Sequence, residues 1–292
     1  MENYNVKKIV FDGGGKSSIV ITAGLHGNEQ TSIRVAELVI HKLKSENVIG
    51  KVAIYPICNY SAFLKNERKA SEDEKDLNRV FPGDKDGTYS QKLAAHIWNE
   101  TKSYDYVLDL HCCGVYGGTY IMCGYSKYEF CKSLCPGLKI SNVVHTKGTR
   151  GQFYIECCEQ RNQKGLLIEL PGGQPNGVVF KEVAEDTADK IINYLKFLKI
   201  VDGKYSVLNN VNYLSHISKL NKIEGNEYYK QIVKPGDNVK GGEILAEYNG
   251  NKIVAPFDCI VVYSAPDCYA VDNNIPVKIV STKELNSENT NN

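Results

Sequence analysis

The chain has 292 residues, 42% of them apolar, which is enough to fill the core of one large domain and a smaller one. Lys and Arg number 35 against 34 Asp and Glu, so no overall charge bias points to nucleic acid or an anionic membrane as partner. No run approaches the roughly 18 consecutive apolar residues of a membrane span, and the N-terminal stretch lacks a signal peptide's apolar run, so the expectation is a cytoplasmic protein.

In chain order, "GGGKSS" at residues 13–18 is the first marked feature. It fails as a phosphate loop, because Val10 stands where the first glycine is required and a strand follows, and it reads as a hairpin turn. "KSSIVITAG" is a β-branched strand ending at Gly24. "EQTSIRVAELVIHKLK" then sets Ile33, Ala36, Val39, Ile40 and Leu43 at helical spacing. "KVAIYPI" is a second strand, followed by a polar stretch to Pro82, the helix "YSQKLAAHIWNETK" and the strand "YDYVLDLH". Further strands are expected at "GTYIMCG", "KISNVVHT" and "GLLIELPGG", and "FKEVAEDTADKIINYLKFLK" is a long amphipathic helix. This alternation predicts an α/β fold over residues 1–200, with a mostly parallel, mixed sheet flanked by helices.

From Val201 on, short alternating runs punctuated by "PGD", "GG", "NGN" and "APFD" predict a smaller antiparallel β-domain over residues 201–285, followed by a flexible polar tail at 286–292. Its sequence is similar to lipoyl or biotinyl carrier domains. However, Lys252 lies three residues before Ala255, and Asn249-Gly250 is the expected hairpin tip, so the carrier lysine is missing. The ten cysteines include two adjacent pairs and read as reduced thiols. Cys131 and Cys135 share one helix face and read as buried thiols rather than a metal clip.

Chemistry enters with "GLHGNE". His26 and Glu29 sit where a strand's C-terminal end passes into a helix, the place where ligand sites collect in open α/β sheets. Catalytic zinc usually takes three protein ligands and keeps a fourth position for water. His111, ending the strand "YVLDLH", is a third donor, and Asp109 on the same strand face is placed to orient its imidazole. On local pattern alone, a structural histidine and an ordinary hydrogen-bonded aspartate remain open.

Four segments in order narrow this. "GLHGNE" at residues 24–29, Arg68, "DLNRVFPG" at residues 76–83 and "DLH" at residues 109–111 resemble the succinylglutamate desuccinylase/aspartoacylase family, deacylase relatives of the zinc carboxypeptidases. The resemblance covers the whole chain, since that family also ends in a small β-domain. It implies a zinc carboxypeptidase-like fold and one zinc per chain on His26, Glu29 and His111. It further implies Glu169 as the base, Arg68 as stabiliser of the oxyanion, and Asn78 with Arg79 as the grip on a substrate carboxylate. The eleven-residue step from Arg68 to Arg79 fits longer-loop members. Arg150 and Tyr154, in "TRGQFYIE", are further candidates for contacting the acyl or amino-acid portion. The β-domain is expected to wall in the site and favour small N-acyl amines.

The implied function is zinc-dependent hydrolysis of a small N-acyl amino acid. A metallocarboxypeptidase acting on peptides or cell-wall stem peptides, and a non-catalytic metal-binding sensor or assembly protein, are the competing readings. The partners expected are the small substrate or a short peptide, with neither nucleic acid nor membrane. A homo-oligomer is compatible with the sequence.

Overall fold

The apolar runs and amphipathic segments become strands and helices in a computed structural model of the chain, which describes residues 4–124, 128–146, 148–219, 227–269 and 277–281. The first half holds β1 (Ile9–Asp12), β2 (Ser18–Thr22), α1 (Gln30–Leu43), β3 (Lys51–Tyr55), α2 (Tyr60–Leu64), α3 (Tyr89–Thr101) and β4 (Tyr106–Cys112), with a 3-10 turn at Leu77–Arg79. Then come β5 (Tyr120–Gly124), α4 (Tyr128–Leu138), β6 (Asn142–Thr146), α5 (Phe153–Arg161), β7 (Lys164–Leu170) and α6 (Lys181–Phe197). The C-terminal strands are β8 (Asn212–Lys219), β9 (Tyr228–Gln231), β10 (Asn238–Val239), β11 (Ile244–Tyr248), β12 (Asn251–Val254), β13 (Cys259–Ser264), β14 (Cys268–Tyr269) and β15 (Val277–Ser281).

The main sheet has the order β1-β3-β2-β4-β7-β5-β6-β8-β15-β13-β10. Its centre is parallel (β3, β2, β4 and β7), and β5 turns the direction by pairing antiparallel to β7. It is therefore the expected mixed α/β sheet, covered by helices on both faces. On one face α1, α4 and α6 pack Val39, Leu43, Leu134, Leu138, Ile191 and Leu195 against Ile19, Leu108 and Ile168. On the other, α3 and α5 pack Leu93, Ile97, Phe153 and Tyr154 against Val20, Val107 and Leu167. Alternate residues of each strand feed opposite cores, as the period of two requires.

The hairpin expected at residues 13–18 does not form, because β3 lies between β1 and β2, antiparallel to one and parallel to the other. The glycines instead let backbone lie on backbone. Gly13 N–H donates to Gly50 O at 2.8 Å, and a Cβ at Gly13 would stand 2.0 Å from Val48 O.

The sheet does not stop near residue 200. β8 pairs parallel to β6, and β15 and β13 extend the sheet further. It then curls until β13 meets the segment leading into β5: Gly118 N–H donates to Val262 O at 3.0 Å, Ser264 N–H to Tyr116 O at 3.1 Å, and Gly117 bridges Tyr263. The closure encloses Tyr120, Val144, Leu214, Val262 and Val280. Behind it lies a four-stranded antiparallel sheet, β12-β11-β9-β14. Asn249 and Gly250, at φ 47° and 72°, form the β11–β12 hairpin tip, and Lys252 lies within the ladder opposite Glu247. All ten cysteines are free thiols, with Cys131 and Cys135 buried in the core. Among the described residues no helix is long and apolar enough to cross a membrane. The tail at 286–292 lies outside the described residues.

Candidate metal centre and active site

The loop at residues 23–29 carries the first two donors, and its shape follows from its glycines. Gly24 has φ 61°, a conformation that L side chains rarely adopt. Gly27 lies on the α2 backbone so closely that a Cβ would stand 2.1 Å from Ala62 C. Cys58 N–H to Ala23 O (3.0 Å), Asn59 N–H to Gly24 O (2.9 Å) and Asn28 N–H to Glu67 O (3.1 Å) pin the loop to the polar stretch beyond β3.

His111 arrives from β4, two strands from β3 across β2, and Glu169 lies directly beside it in register on β7. His26, Glu29 and His111 are all buried, and one donor atom from each lies within 4.8 Å of the others. This is the one such His/Cys/Asp/Glu group among the described residues. His26 Nδ1 is 2.8 Å from Glu29 Oε1, and His111 Nδ1 is 2.9 Å from Glu29 Oε2. Cys112 N–H also donates to Glu29 Oε2 at 2.9 Å.

The far sides of both rings are held by carboxylates. His26 Nε2 is 2.9 Å from Asp76 Oδ1, and His111 Nε2 is 3.1 Å from Asp109 Oδ2. Both nitrogens of each ring face a carboxylate, so a cation seated between the rings and Glu29 would take the Nδ1 lone pairs while each Nε2 donates outward to Asp76 or Asp109. Thr22, which faces Asp109 in the β2–β4 register, donates its hydroxyl to Asp109 Oδ1 at 2.7 Å. Two inward nitrogens, one carboxylate and an outer carboxylate on each imidazole make a donor set that fits a zinc-like cation.

The electrostatics agree. Burial alone would raise the Glu29 carboxyl, but His26 and His111 hold it well below the usual range. Asp76 is likewise lowered against its burial, by His26 and Arg68. Glu169 behaves oppositely. Burial, opposed by the charge of His111 and reinforced by that of Glu29, pushes its carboxyl up to about 7, and its Oε2 is buried without a hydrogen-bond partner.

Arg68 reaches the cluster through the carboxylates, with Nε 3.0 Å from Asp76 Oδ2 and NH1 3.5 Å from Glu29 Oε1. Asn78 is buried. Its Oδ1 accepts from Phe153 N–H at 2.8 Å and its Nδ2 lies 3.2 Å from His111 Nε2. Arg79 is exposed, with one NH1 contact to Asn78 O at 2.7 Å. The structure does not bring the side chains of Arg150 and Tyr154 into the cluster. Arg150 is bound through two nitrogens to Glu156 at 2.7 and 2.8 Å, and Tyr154 is fully buried in the core beneath the site.

Asp76 is the residue that reading the sequence missed. It opens the "DLNRVFPG" run, caps the 3-10 turn by accepting from Asn78 N–H, and ties His26 to Arg68. A carboxylate two residues before the Asn78-Arg79 pair was the available signal.

Residues 16–198 match the succinylglutamate desuccinylase/aspartoacylase catalytic domain, more than half of the chain. The chain belongs to that family. A relative, the N-alpha-acetyl-L-2,4-diaminobutyric acid deacetylase of Halomonas elongata, is 36% identical over 107 residues, 36% of this chain and 31% of that protein. The chain thus matches about a third of that relative's length. Solved structures share the fold. The product-bound ectoine utilization protein EutE of Ruegeria pomeroyi has a TM-score of 0.79 at 20% identity, covering 94% of this chain and 88% of that one. A succinylglutamate desuccinylase from Silicibacter sp. TM1040 has a TM-score of 0.80 at 18% identity with the same coverage. An aspartoacylase family protein from Mesorhizobium loti has a TM-score of 0.78 at 22% identity, again over 94% of this chain and 88% of that chain.

Proposed function

We propose that this member is a zinc-dependent amidohydrolase that releases the amine from a small N-acyl amino acid, with one zinc per chain. The observation that carries the reading is the buried His26, Glu29 and His111 donor set beside a carboxyl, Glu169, held near neutral with an unpartnered oxygen. Zinc on those three residues supplies a Lewis acid for the amide carbonyl and an acidified water. A deacetylase among the relatives supports an acyl amino acid as the substrate class.

The chain's own groups divide the remaining work. Glu169 takes a proton from the attacking water and hands it to the leaving nitrogen. A carboxyl near 7 is suited to both transfers at neutral pH. Arg68, fixed by Asp76, is the cation that offsets charge developing on the carbonyl oxygen. Arg79, exposed and held through one nitrogen by Asn78 O, grips the substrate carboxylate with its planar fork. The Asn78 backbone carbonyl accepts from the Arg79 guanidinium, and the Asn78 side chain lies against the His111 ring. The C-terminal strands wall the site through β13, which favours small amides over long peptides.

The test is metal analysis combined with a screen of acetyl, succinyl and formyl amino acids for amine release, with and without chelator. Release confined to the metal-loaded protein is the expected result. Tripeptide cleavage at equal speed would overturn the small-substrate part, and absence of any metal-dependent release would overturn the catalytic reading.

A further inference from the structure

Thr22 carries a hydroxyl where the surrounding packing is aliphatic. It lies on β2, and by the period of two it shares a face with Val20, which packs with Val107 and Leu167 in one apolar layer. Thr22 itself is 0% exposed. Valine would fill the same space, and a hydroxyl buried there is unfavourable unless it is bonded. Its bond is to Asp109 Oδ1, 2.7 Å away across the β2–β4 register.

Asp109 is equally buried, and its second oxygen faces His111 Nε2 at 3.1 Å. Among the described residues no lysine or arginine pairs with it. The carboxylate behind His26 is built differently. Asp76 is partly exposed and shares its charge between the His26 imidazole and the Arg68 guanidinium. Asp109 directs its charge to His111, and what fixes its orientation from the far side is a neutral hydroxyl. Without that hydroxyl, Oδ1 loses its donor from β2 in a place that water does not reach, and the carboxylate gains by turning away from the imidazole to find another.

We propose that Thr22 is a positioning residue of the metal centre: acting through Asp109, its hydroxyl holds the His111 ring in the orientation that presents Nδ1 to the ion. This rests on the zinc reading above and extends the support of the donor set one bond further outward, into a strand that carries no ligand itself.

Thr22→Val and Thr22→Ser, each made in wild type and in Asp109→Ala, test it by zinc titration against a chromogenic chelator. Thr22→Val should weaken zinc binding by about 5- to 20-fold, and Thr22→Ser, which keeps the donor, should stay within about twofold of wild type. In the Asp109→Ala background, Thr22→Val should cost less than about twofold more, because the path through Asp109 is already cut. Wild-type affinity in Thr22→Val would overturn the proposal. So would an equal loss in the Asp109→Ala background, which would assign Thr22 to packing alone. Should Asp109→Ala fail to fold, the His111 Nε2 proton of the zinc-loaded protein, followed by NMR, replaces the cycle. Thr22→Val should move it upfield and speed its exchange with water while Thr22→Ser leaves it in place, and an unchanged resonance and exchange rate in Thr22→Val would overturn the proposal. Zinc affinity is read without substrate. A wild type that binds zinc yet cleaves no amide would therefore remove the hydrolase reading, and the titration would still decide the role of Thr22.

Discussion

Replacing Glu169 by Gln removes a half-buried ionisable group while keeping its shape, and the structure sets the size and sign of the effect. The carboxyl is pushed from an ordinary 4.5 to about 7 in the fold, a difference of about 3 kcal/mol between its two protonation states. Because the residue is partly exposed, solvent reduces this to about 2 kcal/mol. Below pH 4.5 the group is protonated in both the folded and unfolded chain and contributes no difference. As pH rises toward 7 the unfolded chain ionises first, so native stability falls, and above 7 the loss is complete. Gln does not titrate. The stability of Glu169→Gln relative to wild type should therefore grow by about 2 kcal/mol between pH 4 and pH 8. Urea unfolding of both proteins with chelator present measures this. A difference that stays flat to within about 0.5 kcal/mol would refute the claim that burial holds Glu169 near neutral.

Four further outcomes are expected. Glu169→Ala should keep about one zinc per chain by metal analysis while turnover falls by about a hundredfold or more; unchanged turnover would remove Glu169 as base. Asp76→Asn and Asp109→Asn should each weaken zinc binding by about 10- to 100-fold in competition with a chromogenic chelator, and wild-type affinity would deny those carboxylates any hold on the imidazoles. Gly27→Ala forces a Cβ to 2.1 Å from Ala62 C. It should lower the urea-derived stability by about 1–3 kcal/mol, and a wild-type midpoint would show that α2 yields freely. Arg79→Lys should raise KM more than it lowers kcat, because the point charge of lysine lacks the guanidinium fork; a pure kcat effect would place Arg79 at the reacting bond instead.

The parallel centre of the sheet was legible because β2, β4 and β7 are buried on both faces and read as continuous apolar runs ending in polar residues. Those ends are His111, Glu169 and the "GLHGNE" loop, so reading the strands located the site. Asp76 was hidden because it meets His26 across 50 positions, through a loop path that no local periodicity encodes. The surroundings of Tyr154 were illegible for a different reason. The first six residues of α5, Phe153 to Cys158, are all buried, so the helix shows no one-sided apolar stripe from which its facing could be read. Arg150 was misleading because Glu156, its partner, sits within that same buried run.

The sheet's continuity past residue 200 carries the last step. Local patterning distinguishes strand from loop, but it does not say which edge a strand joins, so β8 read as the start of something separate. Its pairing with β6 and the return of β13 to Gly117 and Gly118 make the C-terminal strands part of the wall beside Glu169. β13 serves two cores at once, sending Cys259 and Val261 toward Tyr229 and Leu245, and Ile260 and Val262 toward Tyr120 and Val280. Tyr120 is itself the register partner of Glu169. The packing that stabilises the C-terminal strands is therefore continuous with the packing that positions the proposed base. A cavity opened at Val262 should therefore disturb Glu169 through Tyr120.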